Sequence, residues 1–188
     1  GDEAALQRLL AHEPRPAQLL KAVNARGCTA LRLAAAAGHE GCLRLCLEAG
    51  ADVSVADEGG RTPLSMACFC GHTSCARLCL EAGADVNQAD NQGCTPLFGA
   101  CQDGHLDCAR LCLEAGANVE AALKEGGATP LMVAVVQGHL SIVQLLCFLH
   151  GANRDPPNPQ SLTAESVAEE MGIRCGDEVG YCVRFDDC

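Results

Sequence analysis

The sequence predicts an all-α solenoid of stacked helix-turn-helix units, and three observations carry that prediction. Gly27, Gly60 and Gly93 recur every 33 residues and Gly127 follows after 34. A fixed period of this length marks an array in which each unit buries its apolar faces only against its neighbours. The segment from Gly60 to Gln92, GRTPLSMACFCGHTSCARLCLEAGADVNQADNQ, is the pattern of which the flanking sequence is made of shifted copies. Aromatic residues are only 3% of the chain and Trp is absent, so the interior must be built from Leu, Val, Ala and Cys. That composition suits thin, closely stacked helices better than a wide core.

Within the unit each residue type has a physical role. Thr62 caps the first helix, Pro63 fits its first position where no N–H is needed, and Leu64 and Ala67 begin its apolar face. Gly71 stops that helix and His72 opens the turn to the second. Leu78 and Cys79 mark the inward face of the second helix, and Gly83 takes the left-handed conformation that ends it. Asp85 to Gln92 form a polar connection. The pattern Thr62-Pro63-Leu64, Ala67, Gly71-His72, Leu78 and Gly83-Ala84-Asp85-Val86-Asn87 resembles an ankyrin repeat. The resemblance implies a scaffold that binds other proteins through its turn tips and the exposed face of its first helices.

Taken in order, residues 1–26 read as a degenerate N-terminal partial repeat. Asp2 to Ala11 resembles a second helix whose first helix is missing, and Gln18 to Ala22 adds a helical turn before Val23-Asn24-Ala25 restores the connection. Residues 27–59 are the first full copy, with Thr29-Ala30-Leu31 where Ala30 replaces the usual proline. Residues 60–92 are the second. Residues 93–126 are the third, with Thr95-Pro96-Leu97 and a connection one residue longer. Residues 127–153 are the fourth. Its interval from Gly138 to Gly151 is 13 residues where earlier copies have 12, so the second helix is expected to be lengthened or distorted near Phe148. Residues 154–161 are a proline-rich linker that cannot continue a helix.

Residues 162–188 have two candidate parents. Thr163, Ala168 and Gly172 keep the spacing of Thr62, Ala67 and Gly71, which makes the segment a worn repeat. More specifically, Ala164-Glu165, Val167 to Gly172, Glu178 to Tyr181, Arg184-Phe185 and Asp187-Cys188 resemble a piece of the first RecA-like domain of DEAH-box RNA helicases. None of that family's chemistry is carried over. There is no G-x-x-x-x-G-K-[ST] loop, and the only lysines, Lys21 and Lys124, do not follow a glycine. Asp2-Glu3-Ala4-Ala5 only echoes the family motif. Period-three-to-four spacing of Val167 and Met171 predicts a short helix, and alternation at Val179, Tyr181, Val183 and Phe185 predicts a strand with no partner in the chain.

Fifteen cysteines raise the question of disulfides or metal. Cys42, Cys75 and Cys108 share one repeat position, where the fourth copy has Ile142, and Cys46, Cys79 and Cys112 share another, where it has Leu146. Thiols there replace aliphatic side chains and read as small buried hydrophobes. Cys28 and Cys94, beside the turn, read as exposed and as the more reactive thiols. His39, His72, His105 and His139 each follow a glycine at the interhelical turn and read as turn hydrogen-bonding residues. No metal ligand set and no cofactor motif is present.

Function is therefore expected on the array's surface, as a non-catalytic interaction scaffold. Arg32, Ser65, Phe98 and Met132 occupy one variable position of the first helix, and Phe69, Gln102 and Val136 another. Phe69, Phe98 and Met132 read as anchors for a partner, with Gln102 beside them and Asp57 and Asp90 as acids at the rim. The net charge is −11, from 13 basic and 24 acidic residues, without a basic run. Direct nucleic-acid binding is disfavoured by that balance, and a basic or amphipathic protein segment is its complement. No apolar run approaches membrane-spanning length, so an intracellular monomer, cytoplasmic or nuclear, is expected. The alternative is that the array is the targeting arm of a truncated DEAH-box RNA helicase, with ATP-dependent RNA remodelling belonging to a longer parent.

Overall fold

The computed structural model describes residues 2–12, 16–149, 173–175 and 182–184. Four helix pairs follow the repeats: α3 (Ala30–Ala37) with α4 (Glu40–Glu48), α5 (Pro63–Phe69) with α6 (Thr73–Glu81), α7 (Pro96–Asp103) with α8 (Leu106–Glu114), and α9 (Pro130–Val136) with α10 (Leu140–Gln144). First helices pack on first helices and second on second, giving two parallel layers. Upstream, α1 (Glu3–His12) packs on α4 as a second helix would, and α2 (Pro16–Lys21) supplies the short turn expected before the connection.

The caps explain where the first helices begin. Thr29, Thr62, Thr95 and Thr129 are extended, and their hydroxyl oxygens accept from the backbone N–H groups of Arg32, Ser65, Phe98 and Met132 at 3.1–3.3 Å. At Thr62 the box is closed, because Ser65 Oγ accepts from the Thr62 N–H at 3.0 Å. Helix α3 forms with Ala30 at the proline position, so the missing ring is tolerated.

Between the helices, His39, His72, His105 and His139 donate their backbone N–H to Ala34, Ala67, Ala100 and Ala134 carbonyls at 2.8–3.0 Å. Their rings make no cap bond to the second helix. Instead, a ring from each repeat lies on a glycine of the one before. A Cβ at Gly38, Gly71 or Gly104 would sit 2.5–2.6 Å from an atom of His72, His105 or His139. Those glycines also have φ of +71 to +80°, so backbone and packing both demand them. His139 Nε2 additionally lies 3.1 Å from the Gln102 carbonyl, so this ring does bond across repeats.

The core is a set of rows running along the stack. Leu31, Leu64, Leu97 and Leu131 are buried in the first layer, and Cys42, Cys75, Cys108 and Ile142 with Cys46, Cys79, Cys112 and Leu146 in the second. Leu78 packs against this core from its edge and is only partly buried, whereas Cys79 beside it is fully enclosed. The cysteines of the array, from Cys28 to Cys147, are free thiols. Cys68 and Cys112 have sulfurs 3.5 Å apart, in contact but well beyond the roughly 2.05 Å of a disulfide.

Burial pushes the Cys79 thiol up to about 12 and the Cys101 thiol well above its usual value, so these stay protonated. Cys108 is opposite: hydrogen bonding from Cys68 and from the Thr73 hydroxyl, 3.3 Å away, holds it at about 7 against the effect of burial. Its sulfur is nevertheless enclosed. Cys75 and Cys108 should accordingly alkylate in the native state on the order of a hundredfold more slowly than the half-buried Cys70, because attack requires local opening. Peptide mapping after a timed pulse of iodoacetamide reads this directly, and equal rates would put these thiols at the surface.

Two of the sequence's expectations about cysteine are corrected. Cys28 is 4% exposed, because its sulfur turns inward toward the Arg26 carbonyl and the Asp57 carboxylate. Cys94 is half-buried, and burial, with the charges of Asp90 and Asp103 adding to it, pushes its thiol up to about 11. Neither is an activated exposed thiol.

The two irregular spacings have structural counterparts. The extra residue of the third connection is absorbed at its tip, where Gly126 and Gly127 both have positive φ and the Leu123 N–H reaches the Ala128 carbonyl one residue farther than in the earlier tips. The extra residue of the fourth repeat appears as a π-helical turn over Leu145–Leu149, the usual way a helix takes in an insertion. In the tail, β1 (Ile173–Cys175) pairs antiparallel with β2 (Cys182–Arg184), with Arg174 opposite Val183. The strand expected around Val183 therefore does have a partner in the chain, missed because Ile173–Cys175 is too short to show alternation. The helix expected over Val167 and Met171 lies outside the described residues, as does the linker. No helix among the described residues is long and apolar enough to cross a membrane.

Candidate functional site

The hairpin tips between repeats set the geometry of the outer edge. Asp57 Oδ1 accepts from the Gly59 and Arg61 N–H groups, and Asp90 Oδ1 from those of Gln92 and Cys94, so one carboxylate oxygen ties each turn together. Neighbouring tips are stitched by Asn91 N–H to Gly59 O at 3.0 Å and Lys124 N–H to Gln92 O at 2.9 Å. Each tip is thus held at a fixed offset from the first helix of the repeat before it.

That offset decides what the variable helix position does. Helical side chains tilt toward the N-terminus, so the third residue of each first helix leans over the next repeat's tip. Arg32 meets Asp57 there, with Nη2 to Oδ2 at 2.8 Å. Arg61 approaches the same carboxylate at 3.0 Å from its own turn. Burial pushes the Asp57 carboxyl up, but hydrogen bonds from the Arg61 backbone and side chain and the charges of Arg32 and Arg61 outweigh it, leaving Asp57 below its usual value. Arg32 and Asp57 are 7% exposed and neither stands free on the surface as the sequence suggested. Their bond is internal. Phe98 at 2% and Met132 at 9% exposure are likewise buried, because the same inward lean places them between repeats.

The remaining candidates come together. Ser65, Phe69, Asp90, Phe98 and Gln102 all line one cleft of about 240 Å³ between the second and third repeats. Phe69, 39% exposed, presents its ring at the mouth, while Phe98 forms a wall rather than a projecting anchor. Gly99 opens the space. Repeats one, two and four carry Leu33, Met66 and Val133 at that position. A Cβ on Gly99 would meet Phe69 only at ordinary contact distances of 3.5–3.6 Å, so neither backbone nor packing requires glycine there. Sequence comparison between repeats held this signal, since Gly99 alone breaks an apolar column. Among the described residues no group of His, Cys, Asp or Glu is placed to hold a metal ion.

The match to known families agrees with the architecture. The family described as ankyrin repeats, in three copies, matches residues 1–90 and 80–158. The chain belongs to the ankyrin-repeat family. No curated protein matches it. The match to ankyrin repeats stops short of residues 162–188, and the resemblance of that tail to a DEAH-box helicase fragment receives no support from any comparison. Ankyrin repeats generally mediate protein–protein interaction, and the cleft between α5 and α7 lies on the face of the array that first helices and tips share.

Proposed function

We propose that this ankyrin array is a non-catalytic protein-binding scaffold whose site is the cleft between α5 and α7, and that its partner contributes a segment with basic and apolar residues. The observation that supports this is the convergence of an exposed aromatic ring, a helix-interior glycine and an acidic tip in one concavity. A helix-interior glycine weakens its helix by about 0.5–1 kcal/mol relative to alanine, and here it gains nothing structural. The overall charge of −11 favours a basic partner and disfavours a nucleic-acid backbone.

The test uses a partner recovered by affinity capture and then measured as a purified protein. Phe69→Ala should weaken binding by about 2 kcal/mol, as removal of a central aromatic contact does. Gly99→Leu should block the cleft and give a larger loss. Asp90→Asn should mainly slow association and flatten its salt dependence. Unchanged affinity for both Phe69→Ala and Gly99→Leu, or equal binding to a fragment beginning at Leu162, would place the site elsewhere. The helicase-arm reading has no observation in its favour.

A further inference from the structure

We infer that the cleft receives an arginine side chain of the partner, stacked on Phe69 and paired with Asp90, in the place that Arg32 fills inside the first repeat. The inference rests on reading the cleft as the protein-binding site. What carries it is a comparison of two equivalent acids in the same molecule. Asp57 and Asp90 lie 33 residues apart at the same point of successive tips, and each bonds two backbone N–H groups of its own turn through Oδ1. Asp57 also holds two guanidinium groups, Arg32 from the preceding helix and Arg61 from four residues on.

At Asp90 both cations are missing. The residue in Arg32's place is Ser65, and the residue in Arg61's place is Cys94. Among the described residues Asp90 has no ion pair, and Arg61, which also borders the cleft, is committed to Asp57 through both Nε and Nη2. The space that a long cationic side chain would take is the cleft itself, of about 240 Å³, deepened by the absence of a side chain at Gly99. Its edge is the ring of Phe69. A guanidinium combines a flat face that stacks on an aromatic ring with a fork that matches a carboxylate, which an ammonium or an aliphatic group does not. The arrangement at Asp57 shows that this tip geometry accepts a guanidinium at 2.8 Å.

The test uses the full chain and three pools of nine-residue peptides with randomised flanks, whose central residue is arginine, citrulline or leucine. Citrulline keeps the shape and removes the charge. Binding of the arginine pool should exceed that of the citrulline pool by about tenfold or more, as expected for a stacked, carboxylate-paired cation. Asp90→Asn should erase that difference. Ser65→Arg supplies the missing cation from within, so it should abolish arginine-pool binding while the chain, which keeps the Thr62 hydroxyl cap and loses only the Ser65 half of the box, stays folded at the assay temperature. Equal binding of the arginine and citrulline pools, no arginine-pool binding up to about 1 mM, or full binding by Ser65→Arg would each overturn the inference. If leucine peptides bind as well as arginine peptides and Gly99→Leu removes both, the cleft is a docking site without an arginine pocket. If pool binding ignores Gly99→Leu, the cleft is not the site and both readings fall.

Discussion

Replacing Asp57 with alanine should destabilise the array by about 3–5 kcal/mol, the usual result of removing one partner of a buried ion pair. The Asp57 side chain is fully buried and the Arg32 side chain is 9% exposed, so the guanidinium left behind cannot turn into water without disturbing the stack. Arg32 Nε already lacks a hydrogen-bond partner, which leaves the group dependent on the Asp57 contact through Nη2. The same substitution removes the carboxylate that ties Gly59 and Arg61 N–H groups into the turn. Chemical denaturation of Asp57→Ala against the parent chain reads the loss. A change below about 1 kcal/mol would mean that the pair is solvated, as surface pairs are.

The comparison that isolates charge from shape is the double variant Arg32→Phe, Asp57→Leu. It copies the third repeat's own solution, where Phe98 and Leu123 stand at the equivalent positions. Replacing a buried ion pair with apolar residues of fitting volume is often neutral or stabilising, so the double variant should recover the part of the Asp57→Ala loss that comes from the stranded Arg32 guanidinium, while the part that comes from the untied Gly59 and Arg61 N–H groups remains. Acid should weaken the parent chain more than the double variant. The folded-state pKa of Asp57 lies below its unfolded value of about 3.9. Its stabilising effect is therefore present above pH 4, and it is lost as pH falls from there through the folded pKa. A denaturation midpoint followed from pH 6 down to pH 2 should fall more steeply in the parent chain than in the double variant.

These residues also show what the sequence could and could not convey. Period and caps come from interactions within one unit, so Thr62 with Pro63, the glycines at the turns and the cysteine columns were all readable one repeat at a time. Even the inserted residue near Phe148 was legible, because an interval of 13 instead of 12 must be absorbed somewhere, and the π-turn at Leu145–Leu149 does so. The variable positions were not readable in the same way. Whether Arg32 or Phe98 faces solvent depends on the residue 25 places later in the next tip, a pairing that only the stacked geometry reveals. Arg32 looked exposed because arginine usually is, and its buried acid could be recognised only across repeats. The same limit applies to Cys28, whose position beside a turn gave no hint that the neighbouring tip covers it. Phe69 and Gln102 lie one helical turn farther along, beyond the reach of the tips, and there the expectation of exposure was closer to what is seen.

Phe98→Ala should cost about 3–5 kcal/mol of folding stability, the range for removing a large aromatic side chain from a packed site. The ring is 2% exposed at the third position of α7, between the second and third repeats and beside Leu123 of the following tip. Truncation would leave a void flanked by the cleft, which neighbouring helices fixed by their Thr caps cannot close. Phe98→Leu retains most of the volume and should cost less than about 1.5 kcal/mol. Phe69→Ala provides the opposite case, since a ring 39% exposed at the cleft mouth should lose well under half as much stability as Phe98. Binding should reverse the order when measured at a temperature where all variants are folded: Phe69→Ala removes the surface that a partner side chain touches, while Phe98→Ala only widens the wall behind it. Urea titration gives the first ordering and isothermal calorimetry with the arginine-centred peptides gives the second. A Phe98→Ala protein as stable as the parent, yet unable to bind, would return Phe98 to the solvent-facing role that its helix position first suggested.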